Sequence, residues 1–357
     1  MNSISERTRR FHRDHPIADL LALNLSHPRF TISDVDLGQR DETSCRGDFP
    51  KFRDWGLKVV MCKGGAAVPE MNFDAAWPRD PTYRPGRPDS EPMYLSMAIN
   101  SPTLLCLAVL DRFLCNVEEN PDKVILVRTA ADLDRALSDP ERIAVLMGAN
   151  RSDWFGDSPG ALRQFARLGL RMVTIGQATR ELGWDVSAEL RSGGRLTALG
   201  VRMIEEMNRR GILIDLAHTN DPCALDAIEV SERPVIDTHS GPRALEEDPS
   251  PRSTSDEVMK ALAHKGGLLG IMPPIGRPHG DAPYESIDDG EMEETLKQVR
   301  YAVDLMGAAH VGIGTHFNSA VLPWITEALL EDGFSDEDTA KIMGGNYLRV
   351  LREVLPA

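Results

Sequence analysis

Asn208-Arg209-Arg210-Gly211-Ile212-Leu213-Ile214-Asp215-Leu216-Ala217-His218 reads as a helix end, a short apolar strand and a histidine. One unit later Pro234-Val235-Ile236-Asp237-Thr238-His239-Ser240 repeats the pattern. A strand with almost no polar interruption is covered on both faces, which is the situation of strands in a parallel sheet. The same kind of run recurs at Ile143–Met147, Met172–Ile175, Leu268–Met272 and Val311–Gly314, with two earlier ones around Ile17 and at Leu57–Met61. That makes eight, with Val124–Val127 as an accessory strand or turn. Amphipathic helical patterns separate them at Pro159–Leu168, Thr197–Arg210, Asp221–Val230, Asp256–His264 and Glu291–Met306. Strict alternation of this length predicts a closed barrel or an open doubly wound sheet. No G-x-G-x-x-G follows the first strand, which counts against a dinucleotide-binding sheet.

The rest of the chain sets bounds. Its 357 residues, 41% hydrophobic and 27% charged, suffice for a large buried core. A formal net charge of −15 excludes a phosphate backbone as partner, because such binding depends on Lys and Arg. Cys45, Cys62, Cys106, Cys115 and Cys223 show no paired spacing and read as reduced thiols. The polar, basic stretch Met1–Arg13 is unlike a secretory signal, and no run is long and apolar enough to span a bilayer. The expectation is a soluble, cytoplasmic protein with no membrane partner. Pro69 to Pro92 is rich in proline and predicts a long ordered loop, and a helix is expected at about 335–354.

On a barrel the active site lies at the carboxyl ends of the strands, so His218 and His239, at two adjacent mouths, are candidate metal ligands. Each alone would more often be a hydrogen-bonded structural histidine. Asp237 shares the strand parity of His239, which predicts both side chains facing the barrel axis.

Several segments, in order, resemble the membrane (renal) dipeptidase family, zinc hydrolases built on an amidohydrolase-like (β/α)8 TIM barrel. They are DFPKFRDWGLKVVM (48–61), EMNRRGILIDLAHT (206–219), RPVIDTHSGPRAL (233–245), HKGGLLGI (264–271), DLMGAAHVGIGTHF (304–317) and IMGGNYLRVL (342–351). The resemblance implies one barrel domain over residues 1–357, a common tendency to homodimerise, and a two-zinc site. It assigns His218 and His239 to the last two zinc ligands, and Arg243 to the substrate carboxylate. The remaining family positions are altered. Leu21 and Leu23 stand where a His-x-Asp pair belongs, and Ala149 or Asn150 where a glutamate bridges the metals. His316 replaces a catalytic aspartate, and Gln177 a histidine that polarises the substrate carbonyl. A leucine cannot ligate zinc, and two cations need a bridging carboxylate to lie close together.

Three functions follow. The first is hydrolysis of a dipeptide or small amide with at most one zinc or other divalent cation on His218 and His239. Asp237 or His316 would then handle the proton. The second is a lyase or isomerase acting on a carboxylate-bearing small molecule. The third is a catalytically inactive pseudo-dipeptidase. His27, just after the first strand, is a lesser candidate ligand.

Overall fold

The computed structural model describes residues 4–25, 36–41, 47–65, 101–177, 180–189, 191, 193–247, 250–274 and 287–357. The expected loop at 69–92 and His27 lie outside these residues. Among the described residues nine parallel strands are formed, β1 (Ile17–Asn24), β2 (Leu57–Gly64), β3 (Val124–Leu126), β4 (Ile143–Asn150), β5 (Leu170–Thr174), β6 (Leu213–Asp215), β7 (Ile236–Ser240), β8 (Leu268–Ile271) and β9 (Val311–Ile313). Eight of them follow one another in the order β1-β2-β4-β5-β6-β7-β8-β9, and β3 pairs only with β4. This is the (β/α)8 TIM barrel that the resemblance implies, the closed one of the two arrangements the alternating pattern allows, with β3 as the accessory strand.

Helices return the chain between strands: α1 (Glu6–Asp14), α2 (Phe49–Asp54), α3 (Pro102–Glu119), α4 (Ala130–Ser138), α5 (Pro159–Leu168), α6 (Ala198–Arg210), α7 (Asp221–Val230), α8 (Asp256–His264), α9 (Asp289–Met306), α10 (Leu322–Glu331), α11 (Asp336–Ala340) and α12 (Asn346–Val354). Their ends follow local chemistry. Asn220 and Ser255 cap α7 and α8 by accepting from the Cys223 and Val258 N–H groups, and a reciprocal Asp288/Glu291 box opens α9. Gly211 ends α6 in the left-handed region at φ 63°. No helix among the described residues is long and apolar enough to cross a membrane.

Alternation along the strands sorts the core into two layers. Leu20, Met61, Leu146, Met172, Leu213, Ile236 and Leu268 fill the barrel, together with Tyr347 from α12. Their neighbours in sequence, such as Val60, Val145, Val173, Ile214, Val235 and Leu269, pack between the strands and the helices. The seam between β9 and β1 is joined by a side chain. Buried Asp19 accepts from the Thr315 backbone N–H at 3.1 Å, the Thr315 hydroxyl, and the Ser319 hydroxyl at 2.6 Å. A backbone bond from Phe317 N to Leu21 O, 2.9 Å, completes the join.

Candidate functional site at the barrel mouth

The inward positions one step above the apolar layer are polar. Lys63 follows Val59 and Met61 on β2, Thr174 follows Met172 on β5, Asp215 follows Leu213 on β6, and Thr238 follows Ile236 on β7. The Lys63 ammonium, fully buried, donates to Asp215 Oδ2 at 2.5 Å and to the hydroxyls of Thr174 and Thr238, each at 2.9 Å. Asp215 also accepts from Thr174 Oγ1 at 2.6 Å, and from the backbone N–H groups of Ala217 and Thr238 at 3.1 and 2.9 Å. Burial would raise the Asp215 pKa, but the Lys63 charge and these donors outweigh it and hold the carboxyl below its usual value. A charge inside a barrel persists only when paired and hydrogen-bonded in this way.

Above this pair sit the histidines. His218 leaves β6 in the left-handed region, φ 68°, a conformation rare outside glycine. That turn swings its ring over the mouth, so that its Nε2 lies 3.2 Å from His239 Nε2. His239 is buried, and its Nδ1 lies 2.7 Å from Thr238 Oγ1. Arg252, half-buried on the segment after β7, brings Nη2 to 3.2 Å from His218 Nε2. Burial, then the Arg252 charge, pull the His218 pKa down to about 3, and burial and Lys63 push that of His239 well below its usual value. Both rings are therefore neutral near pH 7. His316, exposed and at φ 53°, stacks on His239 with ring centroids 5.2 Å apart. Gln177 is half-buried beyond the end of β5.

Two expected placements are corrected. Asp237 does not lie beneath the histidines. The pairing of β7 with β8 slips between Asp237 and Ser240, a bulge that breaks the alternation. His239 turns over the mouth, while Asp237 stays on the helix-facing side with Val235 and accepts from Thr254 Oγ1 at 2.7 Å. Burial, and then the Asp215 charge, raise its pKa to about 6. Arg243 makes a two-pronged ion pair with Asp221, 2.7 Å on each arm, and also donates to the carbonyls of Ser253 and Pro251. The guanidinium that reaches the histidines is Arg252.

The described residues do not fit a two-zinc centre. Leu21 and Leu23 are buried and apolar, and Ala149 offers no donor. Among the described residues no group of three or more His, Cys, Asp or Glu side chains is arranged to hold a metal ion. The expected single-cation set of His218, His239, His316 and Asp237 is therefore not assembled. A guanidinium beside His218 Nε2 further opposes a cation there.

Lys63, Thr174, Asp215, Thr238 and Arg252 were missed in the sequence. Strand parity counted from Met61, Met172, Leu213 and Ile236 would have found the first four, whereas counting Asp237 as inward turned Thr238 the wrong way. Arg252 lies in an irregular segment where no periodicity fixes direction.

Residues 75–356 match the membrane dipeptidase family, peptidase family M19. Dipeptidase tcpJ of Claviceps purpurea is 32% identical over 248 residues, 65% of this chain and 56% of that protein. Dipeptidase verJ of Clonostachys rogersoniana is 30% identical over 252 residues, 67% of this chain and 62% of that one. The match thus spans less than two thirds of the length of either relative. Among solved structures, the probable dipeptidase PvdM from Pseudomonas aeruginosa superposes with a TM-score of 0.77 at 19% identity, covering 98% of both chains. A Rhodobacter sphaeroides metallopeptidase liganded with a phosphinate mimic of the dipeptide L-Ala-D-Ala gives 0.73 at 18%, covering 95% of this chain and 99% of that one. At such identities the likeness is one of fold. With the family match extending over most of its length and the barrel seen directly, the chain belongs to the membrane dipeptidase family.

Proposed function

We propose that this chain takes up a dipeptide or similar small amide bearing a carboxylate at the mouth of its barrel, and acts on it without the family's two-zinc centre. The observation that carries this reading is the Arg252–His218–His239 cluster, a cation and two neutral imidazoles at the open ends of β6 and β7. A guanidinium is the side chain best matched to a carboxylate. The imidazoles supply a lone pair and an N–H, the groups that move protons in general acid–base catalysis. Hydrolysis at this site rests on those two rings, and no step is assigned to a metal. The same pair supports a second reading, proton transfer of the isomerase or lyase type on a carboxylate-bearing molecule, which needs no metal-activated water.

The test combines calorimetry with elemental analysis, using L-Ala-D-Ala as the probe. Arg252→Ala should weaken binding by about 10- to 100-fold, the worth of a charge-assisted hydrogen bond. Arg243→Ala should change it by less than about threefold, since that guanidinium is held by Asp221. The purified protein should carry at most one metal ion, and binding should survive chelation. Two tightly held zinc ions per chain, or equal losses in the two arginine variants, would overturn the proposal.

A further inference from the structure

The hydrogen bonds around His239 run in one direction, and the two ends of the chain of contacts fix it. At one end Arg252 has only hydrogens to offer. Its Nη2 lies 3.2 Å from His218 Nε2, so that nitrogen carries a lone pair. His239 Nε2 faces the same atom at 3.2 Å, and the single hydrogen this contact needs must come from His239. A neutral imidazole protonated at Nε2 has its lone pair at Nδ1. Thr238 Oγ1, 2.7 Å away, must then donate to it.

The other end permits this arrangement. The three ammonium hydrogens of Lys63 have three acceptors, Asp215 Oδ2, Thr174 Oγ1 and Thr238 Oγ1. The Asp215 carboxylate is already supplied by Lys63, Thr174 and two backbone N–H groups. Thr238 therefore accepts from Lys63, and its one hydrogen is available for His239, the nearer of its two possible acceptors.

We propose that Thr238, held by Lys63 and Asp215, is a positioning residue that fixes His239 as the Nε2–H tautomer and leaves His218 Nε2 as an acceptor. In the free protein that donor and that acceptor face each other at 3.2 Å. A ligand amide whose carboxylate is taken by Arg252 opens the contact, its C=O taking the His239 N–H and its N–H the His218 lone pair. The identity of the ligand rests on the function proposed above, whereas the tautomer does not. Two imidazoles binding one cation through Nε2 would require the opposite arrangement, with lone pairs on both Nε2 atoms and the His239 hydrogen on Nδ1.

The experiment is a long-range proton–nitrogen correlation spectrum of the full chain, labelled with 15N-histidine and treated with chelator, with His239 assigned from His239→Gln. In the wild type the His239 Nε2 should be protonated and Nδ1 should show a hydrogen-bonded lone pair. Thr238→Ser keeps the hydroxyl and should leave both signals in place. Thr238→Val should move Nδ1 downfield to the position of an unbonded lone pair, with the fold checked by circular dichroism. It should also weaken L-Ala-D-Ala binding by about tenfold, the effect of one lost hydrogen bond. A wild-type His239 protonated at Nδ1, or an Nδ1 signal unmoved in Thr238→Val, would overturn the proposal. The tautomer as described with no dipeptide binding in the wild type would leave it standing and refute only the ligand.

Discussion

Replacing Lys63 by methionine would leave Asp215 as a buried carboxylate without its cation, which costs about 3–5 kcal/mol. The paired change Lys63→Met/Asp215→Asn removes both charges and should recover most of that loss. Urea unfolding of the three proteins checks this, and additive losses would show that the pair is not coupled. A second residue makes stability depend on pH away from the site. His12 on α1 is half-buried, with Nε2 2.8 Å from Thr326 Oγ1, and burial pulls its pKa from 6.5 to about 4. Between those values the unfolded chain binds the proton and the folded one does not. Stability contributed by neutral His12 is therefore present above pH 6.5 and lost as pH falls towards 4, by up to about 3 kcal/mol. His12→Gln should flatten the pH profile of the unfolding free energy over that window, and an unchanged slope would count against it. At this scale sequence reading was weakest. His218 and His239 were legible because they end apolar strands. Arg243 and Arg252 lie nine residues apart in one irregular segment, and only three-dimensional geometry shows which one turns inward.

Elements were far more legible than residues. The helices Pro159–Leu168, Asp221–Val230 and Asp256–His264 begin where the side chains of Ser158, Asn220 and Ser255 cap them, and the first ends at Gly169. The expected C-terminal helix at 335–354 is instead divided into α11, a wide turn at Lys341–Gly345 and α12. The reason is close approach to β1, because a side chain at Gly344 would meet the Pro16 carbonyl oxygen at 2.2 Å. Gly344→Ala should thus push α12, with Tyr347, off the barrel and cost roughly 2–4 kcal/mol, as other overpacked core sites do. Thermal unfolding measures it, and a neutral result would mean that the turn can shift freely. The β7 bulge was invisible in sequence for a related reason. Parity predicts side-chain direction only while the ladder is regular, and Ile236–Ser240 gives no local signal that it slips.

Seen as a whole molecule, the chain has the family's barrel, and the described part of its mouth holds a buried Lys63–Asp215 pair beneath two histidines. The apolar layer and the packing around it are those that alternating strands and helices dictate, which is why the fold was readable from one sequence. The chemistry was not, because it depends on where each polar group of the mouth points. Lys63 brings a cation into the barrel, and buried leucines stand at the positions where the resemblance places metal donors. The seam carries a different consequence. Asp19 belongs to the first strand, yet its hydroxyl and amide partners, Thr315 and Ser319, lie 296 and 300 residues further along. During synthesis that carboxylate has only the Leu21 N–H as a native donor until Thr315 and Ser319 have left the ribosome. The seam can therefore close only once those residues have been made, so the first strand waits on the last for the side chains that tie it in.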